Sequence, residues 1–281
     1  MKKILVPTDF SDNAFNALAY ATALHAYEPC SFYIVHSYAD AVYREEALHP
    51  ENEMHSLKSE MEEKAVKALR DLETRCKEHQ HNTLHNYTFI AEYADLVDAI
   101  NNWADQEDID LVIMGTRGST NKRGRTFGSN TLHVLKYVHC PVLAVPEGYQ
   151  YQQPKEVLFP SNYLVPYNKR ELALLDHIAG SADAKVHLLY IDPIRNFSLR
   201  QKDNKHLLER TLGRPKLQFE TTEEKDKTLA ISKYIVHKDI DLLTIVNSRH
   251  SYIEDMLYQS TIEQLGLHVK IPFLVLQNVA R

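Results

Sequence analysis

The chain of 281 residues writes the same pattern twice, and that repeat limits its folds more than any other feature. Residues 110–145 align without gaps on residues 241–276, an offset of 131: Asp110-Leu-Val falls on Asp241-Leu-Leu, and Pro141-Val-Leu-Ala-Val on Pro272-Phe-Leu-Val-Leu. Near the starts the offset is 153, with Ile4-Leu-Val-Pro-Thr on Val157-Leu-Phe-Pro-Ser. The second copy is therefore the shorter one, its deficit lying between its second and fourth strands. At about 100–200 residues per domain the length predicts two domains. We place them at residues 1–146 and 155–281, joined by the polar, turn-forming stretch Glu147-Gly-Tyr-Gln-Tyr-Gln-Gln-Pro154.

Each copy alternates short apolar runs with segments of helical periodicity. In the first, residues 3–7 read as a strand, and a helix follows Ser11 with Phe15, Leu18, Ala19, Thr22 and Ala26 on one face. Residues 32–37 form the second strand. A long amphipathic helix then carries Met54, Leu57, Met61, Ala65, Ala68, Leu72 and Cys76 on one stripe, which packs on the sheet. Tyr87 and Phe89 mark a third strand, and Asp95 caps a helix burying Leu96, Ile100 and Trp103. Asp110-Leu-Val-Ile-Met114 and Pro141-Val-Leu-Ala-Val-Pro146 supply the fourth and fifth. The prediction is an α/β protein of two tandem doubly wound domains. Each has a mainly five-stranded parallel sheet with helices on both faces. Ligands of such sheets sit at the carboxyl ends of the strands, near the switch in strand order. Pro7, Thr8, Asp9, Ser37 and Gly115 all fall at such ends.

Four of the eight glycines, Gly115, Gly118, Gly124 and Gly128, crowd between the fourth strand and the helix-like Ser129-Asn-Thr-Leu-His-Val-Leu-Lys136. A glycine loop opening a helix suits an anion: backbone N–H groups approach closely, and the helix start adds donors and the positive dipole end. Arg117, Lys122, Arg123 and Arg125 add positive charge, which serves a solvated loop equally well. No glycine precedes a lysine and no G-x-G-x-x-G is present, so neither the Walker loop nor the dinucleotide fingerprint fits.

The spacing Gly115-x2-Gly118-x9-Gly128-Ser129 resembles the nucleotide-binding loop of the universal stress protein family. Lys3-Ile-Leu-Val-Pro-Thr-Asp-Phe-Ser11 resembles that family's first strand and acidic turn, and Pro141–Pro146 its last strand. The resemblance covers residues 1–146 and implies an adenine nucleotide, ATP or a relative, with Mg2+ only as a companion of ATP. It implies that Pro7, Thr8 and Asp9 line the nucleoside and that backbone near Ser37 meets the adenine edge, with Met114 against the nucleotide. It further implies that Gly115, Gly118, Gly128, Ser129 and Asn130 hold the phosphates, supported by Arg117. Asp9 and Ser129 have ordinary alternatives as helix caps, and Met114 as core. The second copy has Val246, Arg249 and Gln259 at the glycine positions and Asn162 for Asp9, so its site is expected to be lost and the domain structural.

Charge and composition exclude other classes. A net charge of −6 argues against general nucleic-acid binding, and no apolar run is long enough to span a membrane. Cys30, Cys76 and Cys140 read as free thiols of a reducing, cytoplasmic compartment. His79, His81 and His85 lie in a polar stretch that reads as solvated connection and not as a metal site. Two other functions stay open: a nucleotide-free interaction scaffold, and a nucleotide-hydrolysing enzyme of a related fold. Enzymes of that fold carry an S-G-G-x-D-S type loop after the first strand, where this chain has Pro7-Thr-Asp-Phe-Ser11. The apolar last strands of both copies are expected to pair within one chain, as that family's dimers do between chains. A homodimer of chains stays open.

Overall fold

The computed structural model describes residues 1–48, 54–79, 82–117, 127–164, 167, 169–191, 197–247 and 270–277. Packing divides these into two compact units, the first running to Tyr151 and the second starting at Gln152.

The first unit contains β1 (Lys2–Pro7), α1 (Asp12–Leu24), β2 (Cys30–Ser37), α2 (Ala39–Leu48), α3 (Met54–His79), β3 (His85–Glu92), α4 (Leu96–Gln106), β4 (Leu111–Gly115), α5 (Ser129–Tyr137) and β5 (Val142–Val145). Its strands are parallel in the order β3-β2-β1-β4-β5. The second contains β6 (Glu156–Ser161), α6 (Lys169–Ser181), β7 (Lys185–Ile191), α7 (Leu199–Thr211), β8 (Lys216–Thr222), α8 (Lys227–His237), β9 (Leu242–Asn247) and β10 (Phe273–Gln277). Its order, β8-β7-β6-β9-β10, repeats the first. Both are doubly wound: the order reverses after the third strand, so right-handed crossovers send helices to both faces. Strands buried on both sides read as continuous apolar runs, and β4 and β5 are buried throughout.

Some helix faces differ from expectation. Helix α1 buries Ala14, Ala17, Leu18, Tyr20 and Ala21; of the predicted stripe Leu18 is buried, while Phe15, Ala19, Thr22 and Ala26 are half-buried. Alanines let the helix approach the sheet closely, while Phe15 stays half-buried under the Arg75 guanidinium, 3.6 Å from its ring centre. In α4 Ala99, Ile100 and Ala104 are buried, and Leu96 and Trp103 are half-buried. Trp103 Nε1 donates to Glu92 at 3.2 Å. The α3 stripe follows the pattern at Leu57, Ala65, Leu72 and Cys76, which are buried, while Leu69 is buried in place of the predicted Ala68, half-buried like Met54 and Met61. Helix α2 carried no signal strong enough to be anticipated. The stretch after β5 is anchored: Asn16 donates to the Tyr149 carbonyl at 3.1 Å, and Tyr151 meets Tyr20 edge-on at 5.1 Å.

The repeat extends into polar detail. Asp110 Oδ2 accepts from Lys3 N at 3.0 Å, and Asp241 Oδ2 from Lys155 N and Glu156 N at 2.8 and 2.9 Å. At matching places on the two sheets the charges are exchanged. Lys3 pairs with Glu107, which accepts from Tyr33 Oη at 2.7 Å. In the second unit Glu156 pairs with His187, whose Nδ1 meets Tyr234 Oη at 2.8 Å, and Lys238 faces Glu220. One polar knot has thus been built twice from different residues.

Candidate functional site in the first unit

The strand order switches between β1 and β4, and the candidate site lies at their carboxyl ends. After β1 the chain turns sharply, with Phe10 in the left-handed region at φ 64°. Asp9 Oδ1 accepts from Ser11 N at 3.1 Å and Ser11 Oγ at 2.6 Å, and Ser11 Oγ accepts from Ala14 N at 3.2 Å. Ser11 is thus the cap of α1, and Asp9, exposed, braces it from outside. Pro7 and Thr8 are buried, and Thr8 N donates to the Val35 carbonyl at 2.9 Å. Ser37 is half-buried at the end of β2.

His36, which the sequence did not single out, sits between these segments. Its Nδ1 donates to the Thr8 carbonyl at 2.8 Å, and its ring meets Phe10 at 4.4 Å. Burial holds its pKa below the ordinary histidine value, against the opposing Thr8 hydrogen bond and the Asp9 charge. A histidine with a lowered folded pKa takes up its proton more readily when unfolded. Its contribution to stability is therefore intact above the unfolded value of about 6.5 and is lost as pH falls from there through the lower folded value. The melting temperature of the first unit is expected to drop across that window, and His36→Gln to flatten the drop. An unchanged slope in the variant would refute this role.

Gly115 closes the floor of the site for a reason other than phosphate approach. A Cβ there would stand 2.6 Å from Asn13 Nδ2 and 3.2 Å from the Asn13 carbonyl oxygen. The glycine lets α1 press onto β4, and Asn13 Nδ2 donates across the gap to the Arg117 carbonyl at 2.7 Å. Asn13 Oδ1 is buried without a hydrogen-bond partner, an acceptor the sequence had not flagged. Met114 is 7% exposed and packs as core beside Ala144. The Arg117 guanidinium reaches Glu147 at 3.5 Å.

Helix α5 begins differently from expectation. Its N-cap is Gly128, with no side-chain cap bond, and Ser129 is the first helical residue, so the proposed Ser129 cap is absent. Gly128 N donates to the Thr116 carbonyl at 2.8 Å, and Thr131 Oγ1 to the Gly115 carbonyl at 3.1 Å. These two bonds fix the start of α5 against the end of β4. Ser129 and Asn130 are exposed in the first turn, and Gly128 at the cap has no side chain to bond its backbone donors. Gly118, Lys122, Arg123, Gly124 and Arg125 lie outside the described residues.

At the matching place in the second unit, where the first has Phe10 against His36, stands a buried aromatic cluster. Tyr163 has the left-handed conformation of Phe10, at φ 56°, and stacks on Tyr190 at 5.6 Å with the rings nearly parallel. Phe197 meets both edge-on. Tyr163 and Tyr190 are 1% and 2% exposed. Asn162 keeps the turn, accepting from Leu164 N at 3.0 Å, and Gln201 and Asn204 tie α7 to the Asn162 and Tyr163 carbonyls. Val246 is half-buried, while Arg249 and Gln259 lie outside the described residues.

Among the described residues no helix is long and apolar enough to cross a membrane. A model of the universal stress protein family matches residues 1–146. A universal stress protein of Synechocystis sp. is 27% identical over 301 residues, spanning 98% of this chain and 99% of that protein. Another, from Methanocaldococcus jannaschii, is 28% identical over 144 residues, spanning 51% of this chain and 81% of its own length. The solved structure of a universal stress protein from Archaeoglobus fulgidus superposes with a TM-score of 0.64 at 17% identity, over 98% of this chain and 96% of that one. That likeness speaks for the fold. With a family match over more than half its length and a relative of the same extent, this chain belongs to the universal stress protein family.

Proposed function

We propose that the first unit binds one adenine nucleotide, ATP or a close relative, and that the protein works as a ligand-responsive module in a stress response. The observation that carries this reading is the start of α5. A glycine-capped helix end, without a side-chain cap, is tied to β4 beside the strand-order switch. Uncapped N–H groups and the positive dipole end suit phosphate. The Asn13 Oδ1 acceptor and the Asp9 turn stand on the β1 side, where ribose hydroxyls would find partners. Ser129, Asn130 and Gly118 would face the phosphates, Pro7, Thr8 and Ser37 the nucleoside, and Mg2+ would enter with ATP.

The second unit would serve as scaffold, its crevice occupied by Tyr163 and Tyr190. Native mass spectrometry of the undialysed protein tests the reading. One bound adenine nucleotide supports it, conversion of added ATP favours an enzyme, and a chain that stays empty in excess ATP rejects it.

The same proposal includes pairing of β5 with β10 inside one chain. Within the first unit Val112 N and Thr116 N donate to the Pro141 and Val145 carbonyls, so alternate residues of β5, Leu143 among them, turn their backbone toward β4. Ala144 turns its N–H the other way. Ala144→Pro, rather than a proline at Leu143, should therefore loosen the two units and raise the radius of gyration in solution scattering. An unchanged scattering curve would speak against the pairing.

A further inference from the structure

At the opposite end of the first unit's sheet, the turn from α1 into β2 gathers three metal-binding side chains. His25 ends α1 with its side chain 1% exposed, Glu28 lies in the turn, and Cys30 opens β2 fully buried. One ring nitrogen of His25, one carboxylate oxygen of Glu28 and Cys30 Sγ lie within 4.8 Å of one another. His25 Nδ1 is 2.6 Å from Glu28 Oε1. That spacing is a hydrogen bond, and a cation seated between the two atoms would take the place of its proton. The other ring nitrogen, Nε2, is buried with no hydrogen-bond partner.

Nitrogen, oxygen and sulfur donors in one place match a borderline-soft divalent ion. Tetrahedral ligands of zinc stand roughly 3.3–3.8 Å apart, so a shift of about 1 Å would bring these three into range. The backbone is already held for this. His85 Nε2 binds the His25 carbonyl at 3.0 Å, and Cys30 N donates to the Leu84 carbonyl at 3.0 Å. Glu28, with 28% of its side chain exposed, gives the ion a route from solvent.

We infer that His25, Glu28 and Cys30 form a site for a zinc-class divalent cation, with water in the fourth position. Burial and the Glu28 charge push the Cys30 thiol up to about 12, with Lys2 and the chain's amino group acting the other way. The ion-free thiol therefore keeps its proton, and the bound cation displaces it to solvent as the sulfur–metal bond forms.

Untagged, chelator-stripped full-length protein titrated with Co2+ tests this. The expected result is an intense near-ultraviolet thiolate-to-cobalt absorption saturating at one equivalent per chain and erased by Zn2+. Cys30→Ser should remove the band with the circular dichroism unchanged, and Glu28→Gln should weaken Co2+ binding at least about tenfold. No band, or a band that survives in Cys30→Ser, would overturn the site. Should Cys30→Ser fail to fold, Glu28→Gln decides: undiminished Co2+ affinity would overturn it.

Discussion

Gly128→Glu is expected to weaken ATP binding by at least about 100-fold, roughly 2.7 kcal/mol, while leaving the fold intact. The backbone at Gly128, φ −71° and ψ 161°, is open to any residue, so the substitution adds no torsional strain. A carboxylate at a helix start even complements the dipole, which argues that α5 survives. The same carboxylate would occupy the place proposed for phosphate and repel it. Gly128→Ala is the control and should keep most of the affinity. In wild type, ligand at a hundred times Kd adds about 2.7 kcal/mol of stability, a thermal shift the glutamate variant should lose. Equal ATP affinity in calorimetric titration of variant and wild type would remove α5 from the site.

Tyr163→Ala should destabilise the second unit by about 3–5 kcal/mol, the range for emptying a large aromatic site in a core. Tyr163 is among the largest fully buried side chains, stacked on Tyr190 and edged by Phe197. Truncation removes those contacts and leaves a void between β6, β7 and α7. The left-handed backbone at position 163 persists in alanine, so no strain is relieved to offset the loss. Tyr163→Gly would relieve that strain and isolate the packing term. In urea, the second unit's transition should move to lower denaturant and the first unit's should stay. A shift worth less than about 1 kcal/mol would mean that the aromatic cluster is not what holds this crevice shut.

The first copy's strands and the doubly wound class were legible in the sequence because doubly buried strands are continuous apolar runs, and because the repeat at Asp110 and Asp241 phases the two copies. Helix faces were less so. In α1 the predicted stripe ran through Phe15, but small alanines face the sheet, and hydrophobicity alone does not reveal that closeness rather than bulk was required. The glycines were found, but not why each is there. Gly115 answers to Asn13, a contact between residues about a hundred positions apart. Gly128 takes the cap position expected of Ser129, since serine after glycine looks the same in sequence whether it caps or begins the helix. The aromatic cluster leaves only a faint trace in the sequence, the 153-residue offset that Phe10 and Tyr163 share. The lost glycines of the second copy raise the expectation of a lost site and say nothing of the aromatic cluster that stands there. The His25, Glu28 and Cys30 cluster arises from a turn whose geometry no spacing rule encodes.

The two crevices of one chain are expected to differ, the first binding nucleotide and the second not. Isothermal titration of full-length protein, stripped of endogenous ligand, with ATP and Mg2+ separates them. One nucleotide per chain is expected, falling to none in Gly128→Glu and staying at one in Arg249→Ala, within the second copy's counterpart of the glycine loop. A stoichiometry of two, or no saturable binding by the wild-type chain, would contradict it.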